Sequence, residues 1–372
     1  MAGVAAGRRG AALRWSAVGA LVSVLVALPA GLAVLPASDT DVPAAELRDA
    51  VLASADVGFS GYAVSAGGLS LPVSDQLPTV ADLFSDRTSM RVWWRGPDDT
   101  RVDVLSPAGE TGIHRDTGGT WTWEYERATA TRTPAGPLAL PAAPDLLPSS
   151  LGRRLLSEAA DEELSRIGAR RVSGRDAQGL RLIPAAPASS VQRVDVWIDA
   201  GTGLALQVEV FGKGSSDAAL DSRFLDLEME MPDASVTRFE PPPGATLRQG
   251  AEADVVQEAG RRIRPVRLPS ELAGLPRREL AGVPSGIGLY GSGVTLLAVA
   301  PVPPRLAGGV RAALSRSPAA VVDELGTRVA AGPVGLMLVD PRDDGPYVLT
   351  GTVTLDALAA AAAELPDLAG RR

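Results

Sequence analysis

The sequence predicts an α+β fold: a curved antiparallel meander with one wet face, helices at its start and middle, and a smaller α+β unit after it. Three observations predict it. Short runs of apolar and polar residues alternate with period two, turn signals separate those runs, and the stretch from Trp93 to Met231 carries almost no chemically reactive side chain. Successive side chains on a strand point to opposite faces, so this pattern describes a sheet with one apolar side. It reads as a surface built to hold something apolar, not as a catalyst.

The elements follow in order. Asp41 and Pro43 open an amphipathic helix with Leu47, Val51 and Leu52 on one side and Glu46, Arg48 and Asp49 on the other. Val57 to Ala66 is a strand of small residues, and a loop rich in Gly, Ser and Pro follows from Gly67 to Pro78, placed to act as a gate; a short helix carrying Val80, Leu83 and Phe84 flanks it. Met90, Val92 and Trp94 then oppose Arg91, Trp93 and Arg95, the chain turns at Gly96-Pro97-Asp98-Asp99, and Val102 and Val104 oppose Arg101 and Asp103, which predicts a hairpin. Trp121, Trp123 and Tyr125 alternate with Thr120, Thr122 and Glu124 after Gly118-Gly119. A helical stretch lies between Pro144 and Gly168, with Leu151, Leu155, Leu156 and Leu164 among charged residues. Val194, Val196 and Ile198 oppose Arg193, Asp195 and Trp197, a turn runs through Asp199 to Gly203, and Leu206, Val208 and Val210 oppose Gln207 and Glu209. Leu225, Leu227, Met229 and Met231 close the meander against Asp226, Glu228 and Glu230.

Arg238-Phe239-Glu240 followed by Pro241-Pro242-Pro243-Gly244 ends the sheet, because proline lacks the donor a ladder needs. The chain therefore divides into residues 1–41, a basic tip and apolar segment; 42–248, the sheet domain; 249–281, an Arg- and Pro-rich linker; and 282–372, a small final domain. The six arginines of the linker region, Arg261 to Arg278, also suit a basic patch for anionic partners or lipid headgroups. In the final domain Ile287 to Val299 is strand material, Val334–Val339 and Tyr347–Val353 form a hairpin around Pro341 to Gly345, and a helix runs from Leu355 to Leu365.

Composition narrows the function. The 372 residues carry a net charge of -8, which disfavours a nucleic-acid surface. Of 36 basic residues only Lys213 is a lysine, a coding bias to which no function is attached. The absence of cysteine excludes disulfides, thiolate nucleophiles, Cys-bound zinc and a lipidated cysteine. Arg8, Arg9 and Arg14 precede an uncharged run of 24 residues, Trp15 to Ser38, and Asp39 and Asp41 follow it. That polarity places the rest of the chain outside the cytoplasm. The full length suits a retained single-pass anchor, and Pro29, Gly31 and Pro36 suit a cleaved signal, so cell membrane and secreted are both open.

Catalytic constellations are missing. Asp195 and Asp199 have carboxylate-pair spacing, but one sits on a polar strand face and the other starts a turn, which predicts solvated side chains. His114 is the single histidine, so no His-based metal cluster forms, and no Gly-x-Ser-x-Gly elbow occurs. Gly286, Gly288 and Gly291 satisfy Gly-x-Gly-x-x-Gly without the strand, helix and distant acid that dinucleotide binding requires. No enzyme, cofactor or metal is expected.

The order of four motifs resembles the LolA-like superfamily, and within it the two-domain proteins related to the sigma-E regulator RseB, also called MucB. These are Arg91-Val92-Trp93-Trp94-Arg95-Gly96-Pro97, Gly119-Thr120-Trp121-Thr122-Trp123, Asp199-Ala200-Gly201-Thr202-Gly203-Leu204 and Phe239-Glu240-Pro241-Pro242-Pro243-Gly244-Ala245. The resemblance spans Val42 to Arg248 well and the final domain loosely, through Gly345 to Gly351 and the closing helix. It implies an unclosed antiparallel half-barrel, lidded by helices, whose cavity takes acyl chains. It also implies non-enzymatic partners: lipid or lipoprotein, or an anti-sigma factor contacted in envelope-stress regulation. The one-sided alternation places Val92, Trp94, Val104, Trp121, Trp123, Val196, Val208, Leu227 and Met229 on a common face as the expected cavity lining. The same tryptophans would serve equally as a solid core.

Overall fold

Alternation becomes pairing across one long meander. The computed structural model describes residues 37–67, 87–135, 141–250, 268–279, 286–339 and 346–365. Helix α1 (Ala44–Ala53) begins after Pro43 and buries Leu47 and Val51. The strands that follow are β1 (Phe59–Gly67), β2 (Arg87–Gly96), β3 (Asp99–Ser106), β4 (Gly109–Asp116), β5 (Gly119–Glu124) and β6 (Thr129–Pro134). Helix α2 (Pro148–Leu156) then leads to β7 (Leu164–Val172), β8 (Arg175–Leu182), β9 (Val191–Asp199), β10 (Ala205–Gly212) and β11 (Ala218–Glu228). A single helical turn, α3 (Ala234–Thr237), precedes β12 (Thr246–Gln249).

These twelve strands lie in the order β12-β6-β5-β4-β3-β2-β1-β11-β10-β9-β8-β7, antiparallel except where β12 runs parallel to β6. The end strands β12 and β7 are not neighbours, so the sheet is unclosed. Several boundaries differ from expectation. The helix expected between Pro144 and Gly168 stops at Leu156, and Leu164 instead starts β7. Periodicity hid β7 because its register shifts between Arg166 and Ala169, around Gly168 with φ of 83°. Strand β11 ends at Glu228, which leaves Met229 and Met231 beyond the ladder.

One face of the sheet carries the helices. There Leu47, Val51, Leu151 and Leu156 pack on Leu180, Leu182, Val194, Val196, Ile198 and Val208. The other, outer face is buried by arginine. Asp195 and Asp199, expected to be solvated, are 5% and 3% exposed. Arg181 donates from Nε and Nη2 to Asp195 at 2.6 and 2.7 Å, and Arg175 donates from Nε to Asp199 at 2.6 Å. Burial alone would raise the Asp199 carboxyl, yet Arg175 and Thr202 hold it below the usual range. Guanidinium stems cover this face while their heads pair with carboxylates, so polar strand positions become buried ones.

A second sheet of eight strands has the order β13-β14-β15-β16-β20-β19-β18-β17. Its members are β13 (Glu271–Leu272), β14 (Leu275–Arg278), β15 (Gly288–Ser292), β16 (Thr295–Pro301), β17 (Val321–Asp323), β18 (Gly326–Ala331), β19 (Val334–Val339) and β20 (Tyr347–Gly351). Helices α4 (Pro304–Ser315) and α5 (Leu355–Glu364) complete it, and α5 buries Leu358 and Ala361 against Leu297, Met337 and Leu349. Strands β13 and β14 lie inside the stretch read as a linker, where their brevity gave no periodic signal. Gly288 and Gly291 fall within β15, which pairs with β16 as a hairpin, a strand–turn–strand setting and not the strand–turn–helix of a dinucleotide fold. The two sheets touch: the Ser190 amide donates to Thr352 O at 3.0 Å, and Arg278 donates from Nη2 to Glu158 at 2.5 Å. The apolar run at the N-terminus, the expected gate after Gly67 with its helix, and the turn from Pro341 to Gly345 lie outside the described residues. Among the described residues no helix is long and apolar enough to cross a membrane.

The outer-face pairs generate a stability prediction. Asp103 is fully buried, and Arg101 grips it from Nε at 2.9 Å and Nη2 at 2.7 Å. Removing the guanidinium leaves a buried carboxylate with only the distant Arg91, at 3.8 Å. Arg101→Met is expected to cost about 3 kcal/mol in urea unfolding, the scale of breaking a buried pair from one side.

Candidate functional site

Register decides which side chains share a face, and it divides the expected cavity lining. Val92 pairs with Val102, Met90 with Val104, Phe59 with Trp94 and Gly61 with Leu227. Val208 pairs with both Ser222 and Val196. These positions put Val92, Trp94, Val104, Val196, Val208 and Leu227 on the helix-bearing inner face. Met229 lies past the strand end but packs, half-buried, on the same cluster.

Trp121 and Trp123 do not join them. Trp93, Arg101, His114, Trp121 and Arg132 form one continuous rung across β2 to β6, and Arg91, Asp103, Gly112, Trp123 and Ala130 form the next. Both rungs face outward. The common-face expectation fails here because alternation within a strand fixes two faces without saying which one meets the core, and β5 is offset by one residue from the assumed phase.

The inner face has a solid part and an open part. Phe59 stacks on Trp94 with centroids 5.9 Å apart and meets Phe224 edge-on at 5.4 Å. Trp94 Nε1 donates to Ala55 O at 2.8 Å, which locks the indole beneath the turn after α1. Val92, Val196 and Val208 have no exposure, so these expected lining residues are core. Val104, Ile113, Leu227 and Met229 are only half-buried and form an apolar margin beside that core.

Polar atoms interrupt this face. The hydroxyls of Ser65 and Ser149, both residues fully buried, have no partner, and neither does Nη1 of Arg153. The Arg153 guanidinium carbon lies 5.0 Å from the Trp94 ring centroid. Burial pushes the Arg153 guanidinium down from its ordinary value, against an opposing pull from Asp56. Sequence reasoning passed over Arg153, although its spacing from Gly152, Ser149 and Leu156 put a charge on the buried stripe of a helix.

On the outer side, the chain after β11 returns to cover the tryptophan rungs. Phe239 lies 4.7 Å from His114, 5.7 Å from Trp121 and 6.0 Å from Trp123, centroid to centroid. His114 Nδ1 is 3.0 Å from Thr237 O, a contact that makes Nδ1 the protonated nitrogen. Next to it is a cleft of about 370 Å³ among Asp98, Asp116, Arg238, Trp121 and Phe239. Among the described residues no three groups are placed to hold a metal ion. The cleft's Asp116 is tied to Arg132 at 2.7 Å and held below the usual carboxylate range by that bond.

No family model matches the chain, and no curated protein matches it. Solved structures do. The chain is similar to MucB. A Pseudomonas aeruginosa MucA/MucB complex is 17% identical, covers 88% of this chain and 99% of its own, and has a TM-score of 0.49. MucB alone is 18% identical, with 87% of this chain and 97% of its own covered and a TM-score of 0.43. A LolA superfamily protein from Nitrosomonas europaea is 10% identical, covers 53% of this chain and 98% of its own, and has a TM-score of 0.26.

His114 supplies a pH prediction. Burial lowers its pKa below the ordinary 6.5, so the unfolded chain takes up the proton first as pH falls. Its contribution is whole above pH 6.5 and shrinks as pH drops from there toward the lower native value. The urea midpoint is expected to fall more between pH 7.5 and 5.5, about one unit either side of the histidine reference, than it does for His114→Gln. A proton NMR titration of this single imidazole checks the native value directly.

Proposed function

We propose that the chain is a non-enzymatic extracytoplasmic protein that binds the acyl part of a lipid or lipoprotein on the inner face of its open sheet, as a tethered carrier, sensor or adaptor. One observation carries the reading: the half-buried margin of Val104, Ile113, Leu227 and Met229 continues a fully buried apolar core on an unclosed sheet. A chain laid along that margin gains roughly 0.8 kcal/mol per buried methylene. The four-motif resemblance supports the same ligand class. Arg8, Arg9 and Arg14 ahead of the apolar run support export.

A second reading, regulation by contact with an anti-sigma factor in the envelope, draws on a different feature. Among the described residues, edge strand β17 leaves Val321 and Val322 38% and 66% exposed, an unpaired apolar edge that a partner strand could extend. The structures named above include MucB with MucA, which is a property of that protein.

Uptake of a fluorescent fatty acid separates the readings and tests the face. Leu227→Asp is expected to lower uptake at least tenfold, the effect of about 1.4 kcal/mol, in a protein that still folds, because Leu227 is half-buried and a charge there reaches water. Trp123→Asp is expected to destabilise the outer face and to leave uptake per folded molecule unchanged. Undiminished uptake in folded Leu227→Asp rules out the inner margin, and no uptake by the unaltered protein rules out the acyl reading.

A further inference from the structure

Arg153 occupies a position on α2 that a surface arginine does not take. Ser149, Gly152, Arg153 and Leu156 recur at helical spacing on the stripe turned to the sheet, and the approach is close. A Cβ added at Gly152 would lie 2.7 Å from the Ala205 Cβ and 3.7 Å from Val208 Cγ2. From this stripe the Arg153 side chain extends over the Trp94 ring.

Its Nη1 is shut off from solvent and has no hydrogen-bond partner. The residue as a whole remains half-buried, so the guanidinium sits at the boundary of the core and not sealed within it. Among the described residues Asp56 is the one carboxylate that acts on it, and no ion pair joins the two. An arginine cannot relieve burial by losing its proton. A cation–π contact offsets part of the cost, but an orphaned charged donor in an apolar setting still destabilises the empty protein.

We infer that Arg153 is the head-group subsite of the inner face, receiving the oxyanion of an anionic amphiphile whose chain lies along Trp94 and the Val104 margin. This rests on the acyl-binding reading and narrows it from apolar chains in general to chains ending in a carboxylate or phosphate. The chemistry is complementary on both counts. The oxyanion supplies the acceptor that Nη1 lacks, and the half-buried margin of Val104, Ile113, Leu227 and Met229 accepts the chain. A neutral lipid satisfies only the second.

The test compares a fluorescent fatty acid with its methyl ester on the full chain, with acetate and inorganic phosphate as competitors lacking a chain. The unaltered protein is expected to bind the acid about tenfold tighter than the ester, the scale of one charge-assisted bond. In Arg153→Met that ratio falls to near one while ester affinity is kept, and Arg153→Lys, which keeps the charge without the planar fork, falls between. Arg153→Met is expected to melt no lower than the unaltered protein, since it removes an uncompensated charge. Acetate and phosphate at millimolar concentration do not displace the acid. Equal affinity for acid and ester, or an unchanged ratio in both variants, overturns the subsite while leaving the acyl reading standing. Displacement by the free anions also overturns it, in favour of a plain anion site. Binding of neither probe overturns both.

Discussion

The pairing of β1 with β11 is the constraint on which the rest of the molecule depends. Residues 60–67 meet 220–228 across more than 150 positions of sequence, and this one junction joins the meander β2 to β6 to the second meander β7 to β11. Its register slips between Tyr62 and Ala63, and Gly61 makes the slip achievable: a Cβ there would stand 2.4 Å from Asp226 O. With that junction in place, Phe59, Trp94 and Phe224 from three strands meet as one aromatic cluster. The turn after α1 and helix α2 then have a fixed floor to cover.

The two faces of this sheet are stabilised by different chemistry. The inner face excludes water with aliphatic and aromatic side chains beneath helices. The outer face does so with arginines lying over indoles and phenyls: Arg101 over Trp93 at 4.8 Å, Arg132 over Trp121 at 5.3 Å, Arg170 over Trp197 at 3.8 Å and Arg193 over Phe211 at 3.6 Å. A flat, weakly hydrated guanidinium can stack and pair with a carboxylate at once, which an ammonium cannot. The near-complete use of arginine over lysine carries no evident function in the sequence, yet here it has structural consequences.

The sheet was legible because alternation in β2, β3, β9 and β10 is regular and turn residues bound each run. Less legible were β4 and β6, whose residues are largely Thr, Arg, Gly and Glu and give no apolar period, and β8, where the only large apolar residues are Leu180 and Leu182 at its end. Placement on the inner face was legible for Val92, Trp94, Val104, Val196, Val208 and Leu227, and not for Trp121 and Trp123. Aromatic strand positions suggest a core, but Phe239 supplies a second, smaller core on the other side of the same sheet. A segment contributed from 116 residues beyond Trp123 leaves no trace in the local pattern.

If the inner face binds a ligand as proposed, stability and binding pull it in opposite directions, and its residues divide between the two. Where α1 and α2 lie over β8 to β10, the core is closed: Val194, Val196, Val208 and Leu180 have no exposure, and aliphatic packing there needs no ligand. Toward β3 and the end of β11 the helices give out and the apolar residues are half-buried. A protein selected only for stability would replace Arg153 with an aliphatic residue, because burying an unpaired donor costs more than a methyl group would contribute. On the proposed acyl-binding reading, the charge at the edge of the helical cover lies where a bound chain would end. The boundary of the helical cover thus sets the reach of the stable core and, on the same reading, the point at which a ligand's head group is met.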